Sequence, residues 1–216
     1  MGKIITVGLN QKGGVGKSTI ATNIAVDLAR NRPDLNIRVF DTDVELTASM
    51  DFFEERMIIP SIKCSVIEHP EELEEVISFV NASDKNIAII DNAGMSTEVT
   101  ESSVAITDLL FIPFRMSSKD LKALGLFIES INKANGRGST IESFLVPNYI
   151  YANAHVSKVK NKLKPLIESG FKFGSGIKTR NSYTDSAEVG KSALEYGDIK
   201  AGKEIFYLVE EISKRV

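Results

Sequence analysis

Apolar residues in this chain gather into short runs, separated by longer stretches in which they return every three or four positions. Six of the runs read as strands: Ile4–Leu9, Ile37–Phe40, Cys64–Ile67, Ile87–Ile90, Leu109–Pro113 and Ser143–Pro147. Each is short, apolar and rich in branched side chains, the composition of strands covered on both faces. Four intervening stretches have helical length and period: Lys17–Arg30, Glu71–Val80, Ser118–Asn132 and Val156–Ser169, with Pro165 placed to kink the last. Strands alternating with helices require crossover connections. The pattern therefore predicts an α/β fold, a mostly parallel twisted sheet flanked by helices on both faces. No repeat, low-complexity tract or Pro/Gly/Ser linker interrupts it, so one domain over residues 1–216 is expected. In such sheets ligands bind beyond the carboxyl ends of the strands, and the loops there are where chemistry is expected.

The first of those loops is Gln11-Lys12-Gly13-Gly14-Val15-Gly16-Lys17-Ser18-Thr19, between the first strand and the first helix. Glycines let a backbone turn tightly and aim its N–H groups at phosphate oxygens, and the following helix adds its positive end. In such a loop Lys17 reaches the β- and γ-phosphates and the Ser18 hydroxyl serves Mg²⁺. The common form of the motif has a glycine where Gln11 stands, and this chain instead carries an extra lysine, Lys12. Two acidic sites follow later strands: Asp41-Thr42-Asp43, and Asp91 with Asn92-Ala93-Gly94. For Asp91 two readings stand, a carboxylate near a metal or the cap of a following helix.

Composition narrows the partner classes. A formal charge of −3 excludes a globally basic nucleic-acid coat, so any DNA contact must come from a local patch. Cys64 is the only cysteine, which rules out an intrachain disulfide framework and fits a reducing compartment. There is no apolar run of about 18 residues to span a membrane, and the opening MGKIITVGLN lacks the long apolar stretch and cleavage site of a signal peptide. A cytoplasmic location is expected. His69 and His155 lie far apart in sequence and read as surface or loop residues.

Lys12-Gly13-Gly14-Val15-Gly16-Lys17-Ser18 resembles the deviant Walker A motif of the ParA/MinD family of P-loop ATPases. The resemblance extends over nearly the whole chain. Asp91 looks like the Walker B aspartate. Asp41 and Asp43 look like the switch I Asp-x-Asp, although Val44-Glu45 stands where the family commonly has Pro-Gln, a departure that bears on hydrolysis rate more than on binding. Phe111 to Leu121 looks like the segment after the fifth strand, Val146-Pro147-Asn148 like the base-binding strand end, and Gly190-Lys191-Ser192 to Tyr196 like the Gly-Lys-Ser-Val-Phe-Glu element.

What the resemblance implies is specific. The fold is that of P-loop NTPases, and the ligands are ATP and Mg²⁺. Lys12 crosses a dimer interface to the phosphates of the partner's nucleotide, so that ATP binding yields a sandwich homodimer. Lys12, Lys17 and Asp43 form the catalytic set, with Asp43 positioning or activating water. The nucleotide set is Lys12, Gly13, Gly14, Val15, Gly16, Lys17, Ser18, Thr19 and Asn148; the metal set is Ser18, Asp41 and Asp91. For Asn148, adenine recognition and a simple turn role after Pro147 both stand.

Short length and the Asp91-Asn92-Ala93-Gly94 ending place the chain nearest the small ParF-like branch, whose members partition plasmid or chromosomal DNA and lack an N-terminal DNA-binding extension. The implied partners are non-specific DNA and a centromere-binding adaptor protein that stimulates slow hydrolysis, with nucleoid association. The alternative is a MinD-like or cargo-positioning spatial regulator. DNA contact would fall on Lys158, Lys160, Lys162 and Lys164, which flank a stripe of Val156, Val159, Leu163, Leu166 and Ile167, with Lys172, Lys178, Arg180 and Lys191 downstream. Any one of these lysines equally well serves only to solvate a helix edge. The last helix carries Ile205, Leu208, Val209, Ile212 and Val216 on one face, and Glu204, Glu210 and Glu211 on its polar face. That composition suits packing on the core, not an anionic membrane, and no membrane partner is expected.

Overall fold

The computed structural model describes residues 1–8, 14–94, 97–121, 124, 141–151 and 155–216. Among the described residues seven strands form one parallel sheet: β1 (Lys3–Val7), β2 (Asn36–Asp41), β3 (Lys63–Val66), β4 (Asn86–Asp91), β5 (Leu109–Arg115), β6 (Glu142–Asn148) and β7 (Lys172–Phe173). Their order is β3-β2-β4-β1-β5-β6-β7, which puts β1 in the middle and brings the carboxyl ends of β1, β2 and β4 together. Register makes this concrete. Val7 pairs with Asp91, Asp91 with Asp41, and, two strands away, Arg115 with Asn148.

The helices are α1 (Lys17–Asn31), α2 (Ala48–Glu54), α3 (Leu73–Asn81), α4 (Glu98–Ala105), α5 (Val156–Lys162), α6 (Lys164–Glu168), α7 (Ser182–Ala187) and α8 (Ile199–Ser213). Side chains alternate across the sheet as strand geometry demands. Ile87 and Ile89 face α1 and α8 with Ile20, Ile24, Leu28, Leu208 and Ile212. Ala88 and Ile90 face the other way, toward Val76, Phe79 and Val99 of α3 and α4. A third cluster, with Leu110, Ile112, Phe114, Val159 and Leu163, extends that second face under α5. Each fully buried side chain of this size contributes about 1.5–3 kcal/mol, so α1 is anchored between the sheet and α8.

All six expected strands are present, most of them extended by a residue or two. The first stops at Val7, and Leu9 lies outside the described residues. The expectation of cover on both faces fails for β3, which is an edge strand with Val66 exposed. The stretch Val156–Ser169 is two helices, not one. The turn breaks at Leu163 because Pro165, in the first turn of α6, has no N–H to continue the ladder. Glu71–Val80 opens with a 3-10 turn at Pro70–Glu72. Most of Ser118–Asn132 lies outside the described residues. The apolar face of α8 is buried, as expected, with Ile205, Leu208, Val209 and Ile212 in the core. His69 and His155 are both exposed.

Candidate functional site

The site begins where the chain turns into α1. Gly14 has φ 70° and Gly16, at the helix N-cap, has φ 88°. Only glycine adopts such angles without strain. At Gly16 space also excludes a side chain, since a Cβ would sit 2.1 Å from Nδ2 of Asn148. The first turn of α1 holds no acidic residue, and its N-cap supplies no side-chain acceptor. Among the described residues no side chain caps its leading N–H groups, an arrangement that suits an anionic ligand.

Lys17 opens the helix with its side chain buried. Burial lowers its pKa, and the carboxylates of Asp91 and Asp43 act in the opposite direction. Asp91, at the end of β4, is fully buried. One oxygen, Oδ2, accepts from Ser49 Oγ at 2.7 Å, and the Ser18 side chain also hydrogen-bonds the carboxylate. The other, Oδ1, is buried with no hydrogen-bond partner. Burial, with the neighbouring Asp41 charge, pushes the Asp91 pKa up to about 7.

Asp41 sits opposite Asp91 and is placed differently. Its Oδ1 accepts from Asp43 N at 3.0 Å, and its Oδ2 from Ser49 N at 2.9 Å and Met50 N at 3.3 Å. Both oxygens are thus held by backbone amides, and burial still raises its pKa. Asp41 meets the site through the loop it holds. Asp43 is half-buried on that loop. Its Oδ1 accepts from Leu46 N at 3.2 Å, while Val44 and Leu46 are exposed. Thr42 ties the two strand ends together. Its N donates to Asp91 O at 3.0 Å, and its hydroxyl accepts from Ala93 N at 2.9 Å.

Asn148, at the end of β6, is buried. Its Nδ2 donates to Val15 O at 2.7 Å and its Oδ1 accepts from Tyr149 N at 2.7 Å. Its amide thereby grips the glycine-rich loop. Val15 and Thr19 complete the described part of that loop, while Lys12 and Gly13 lie outside the described residues.

The donor set fits a hard divalent cation. A buried, unpartnered carboxylate oxygen on Asp91 stands beside the Ser18 hydroxyl, and both are oxygen ligands. Among the described residues no group of three or more metal-ligating side chains occurs.

A model of the CobQ/CobB/MinD/ParA nucleotide binding domain matches residues 6–193. The chain belongs to this family. The ParA/MinD fold is shared along its full length with solved structures. A plasmid partition protein from Borrelia burgdorferi bound to AMPPNP is 20% identical with TM-score 0.73, covering 100% of both chains. MinD from Aquifex aeolicus is 16% identical with TM-score 0.78, covering 99% of this chain and 98% of its own. McdA from Cyanothece, in a complex with ATP, is 14% identical with TM-score 0.71, covering 98% and 96%. No curated protein matches the chain by sequence.

Within this ParA/MinD frame several participants escape sequence reasoning. Ser49 carries no motif and Thr42 is only the unspecified middle residue of Asp41-Thr42-Asp43, and only the fold brings them to Asp91. Arg115 and Tyr149 sit against the glycine-rich loop without any spacing signal. The Gly190–Tyr196 element docks on α1. Ser192 Oγ donates to Asp27 Oδ1 at 2.9 Å, and Ala193 N donates to Asn23 Oδ1 at 2.8 Å. Of the basic residues, Lys158, Lys160, Lys162 and Lys164 are exposed. Arg180 is taken up by Glu204 at 2.7 Å, and Lys172 pairs with Glu142. No helix among the described residues is long and apolar enough to cross a membrane.

Proposed function

We propose that this ParA/MinD-type protein is a DNA-partition ATPase that pairs around ATP. One observation carries the reading: Lys17 and Ser18 open an uncapped helix directly against a buried Asp91 oxygen with no partner, with Asp43 on the adjoining loop. In this reading the N–H groups at the start of α1 bind the phosphates, and Lys17 offsets charge on the β- and γ-phosphates. Ser18 and Asp91 would hold Mg²⁺, which supplies further charge neutralisation at the phosphates.

Asp43 orients the attacking water and accepts its proton as the new bond to the γ-phosphorus forms. The bond from that phosphorus to the β–γ bridging oxygen breaks, and ADP and phosphate leave. Asp41 fixes the loop that carries Asp43. Lys12 would reach the partner's triphosphate, making ATP part of the interface. Asn148 steadies the loop and stands at the strand end where the base is read. An adaptor bound at a centromere would accelerate hydrolysis and end the dimer's hold on DNA.

The Borrelia partition protein supports the first reading by sharing the fold over its entire length with a nucleotide analogue bound. The similarity to MinD supports a second, a MinD-like or cargo-positioning regulator. Against membrane attachment stand the core packing of Ile205, Leu208, Val209 and Ile212 on α8 and the acidic residues Glu210 and Glu211 beside them, while Ile199, Phe206 and Tyr207 of the same helix are exposed. The test is retention of the protein on non-specific DNA, and separately on anionic vesicles, with ATP and Mg²⁺, with ADP, and without nucleotide. ATP-dependent DNA retention is expected. Vesicle binding without DNA binding would transfer the assignment to the MinD-like reading.

A further inference from the structure

The glycine-rich loop is gripped at two successive carbonyls. The Gly14 carbonyl accepts from Nη2 of Arg115, the last residue of β5, and the Val15 carbonyl accepts from Nδ2 of Asn148, the last residue of β6. These two side chains are register partners on adjacent strands, so the sheet itself sets the spacing of the grip. Arg115 is exposed, yet it is not free to wander. Its guanidinium lies over the ring of Tyr149, 4.5 Å from the centroid. Tyr149 in turn holds φ 54°, an unusual angle for a residue with a side chain, and its N–H is bonded to Asn148 Oδ1. Ile150 then ties the turn down by donating to Ile177 O.

We infer that Arg115, braced on Tyr149, is a positioning residue that aims the amides of the phosphate-binding loop. The inference rests on the reading of that loop as a nucleotide site. In a trans peptide the C=O of one residue and the N–H of the next point in opposite directions. Drawing the Gly14 and Val15 carbonyls toward Arg115 and Asn148 therefore turns the Val15 and Gly16 N–H groups away from the clamp. Two donors are fixed in direction before any phosphate arrives, which reduces the ordering cost of binding. A lysine cannot replace the arginine fully, because the planar fork both stacks on the ring and bonds the carbonyl.

The test is equilibrium binding of ATP and of ADP to the full chain and to Arg115→Ala, Arg115→Lys, Tyr149→Ala and Tyr149→Phe, with thermal melting of each nucleotide-free protein. Because the clamp acts through amides that serve either nucleotide, Arg115→Ala should weaken ATP and ADP alike, by about tenfold for one charged hydrogen bond. Arg115→Lys should recover only part of this. Tyr149→Phe should bind as wild type, Tyr149→Ala should resemble Arg115→Ala, and melting should hardly change. Amide exchange at Val15 and Gly16 in the nucleotide-free protein should quicken in Arg115→Ala.

Loss confined to ATP would make the guanidinium a direct γ-phosphate ligand and overturn the positioning role. So would unchanged affinities with unchanged exchange. If the wild-type protein binds neither nucleotide, the site assignment itself is what fails, and the exchange measurement still decides whether Arg115 holds the loop.

Discussion

The molecule buries charge in two places and treats it in opposite ways. On one side of α1, Arg56 is almost completely enclosed, and four hydrogen bonds engage its Nε and both terminal nitrogens. It donates to both Glu195 oxygens at 2.8 and 2.9 Å, to Gly190 O at 2.9 Å and to Pro60 O at 2.9 Å. Gly190 has no room for a Cβ, which would lie 2.5 Å from Arg56 N. At the strand ends, Asp91 is equally enclosed but keeps one oxygen without a donor. A charge network closed on itself holds structure together, whereas a buried carboxylate left open is costly unless something from outside completes it. The first region therefore reads as a latch between α1, the turn after α2 and the Gly190–Tyr196 element, and the second as the site.

The sharpest way to separate the two regions is to remove a charge from each. Lys17→Ala at the open end should reduce ATP affinity by at least about hundredfold, as loss of a cation facing developing phosphate charge does. Melting of the nucleotide-free protein should fall little, because the Lys17 ammonium is held against its own desolvation. Asp43→Ala should lower turnover by about hundredfold while leaving ATP binding largely intact, measured as phosphate release against equilibrium affinity.

At the closed end the outcome reverses. Among the described residues Arg56→Ala leaves the enclosed Glu195 carboxylate with only Arg30 at 3.5 Å and the Ser192 amide at 3.0 Å, and should cost about 3 kcal/mol in denaturant unfolding, with intrinsic nucleotide affinity per folded molecule little changed. If Arg56→Ala instead abolished binding without loss of stability, the division between latch and site would collapse.

The smallest effect concerns Asp27, which is buried under the latch and accepts from Ser192. Desolvation raises its pKa from 3.8 to about 6 in the folded protein. The folded state therefore binds the proton more tightly than the unfolded chain. Its stability contribution is full below the lower value, falls as pH rises from 3.8 to about 6, and is absent above. The slope is at most about 1.4 kcal/mol per pH unit. Asp27→Asn should flatten that slope, seen as unfolding free energies measured across the window. A slope unchanged in the variant would assign the titration to another group.

What the sequence made legible follows from physics that is local. Strands buried on both faces announce themselves by composition, so β1, β2, β4, β5 and β6 were readable. The two-residue β7 is too short to show any period, and the mixed polarity of α2 and α4 gives no clear stripe. Gly14, Gly16, Lys17 and Ser18 were legible because a phosphate loop needs contiguous residues of fixed type. Asp91 and Asp41 were legible as strand-end acids, but not their difference. That difference depends on the amides of Ser49 and Met50, supplied by the first turn of α2. Arg115 and Tyr149 were hidden for the same reason, since their relation to Gly14 is made by sheet register across more than a hundred residues. Contacts that the topology creates leave no spacing to read.

We propose that ATP joins two copies of this chain, each contributing a cation to the other's triphosphate. The direct measurement is the mass of Asp43→Ala in sedimentation velocity with ATP and Mg²⁺, beside the same protein carrying Lys12→Ala as well. A dimer formed only with ATP, and weakened when Lys12 is removed, is the predicted result. A monomer at saturating ATP, or a dimer indifferent to both nucleotide and Lys12, would contradict it.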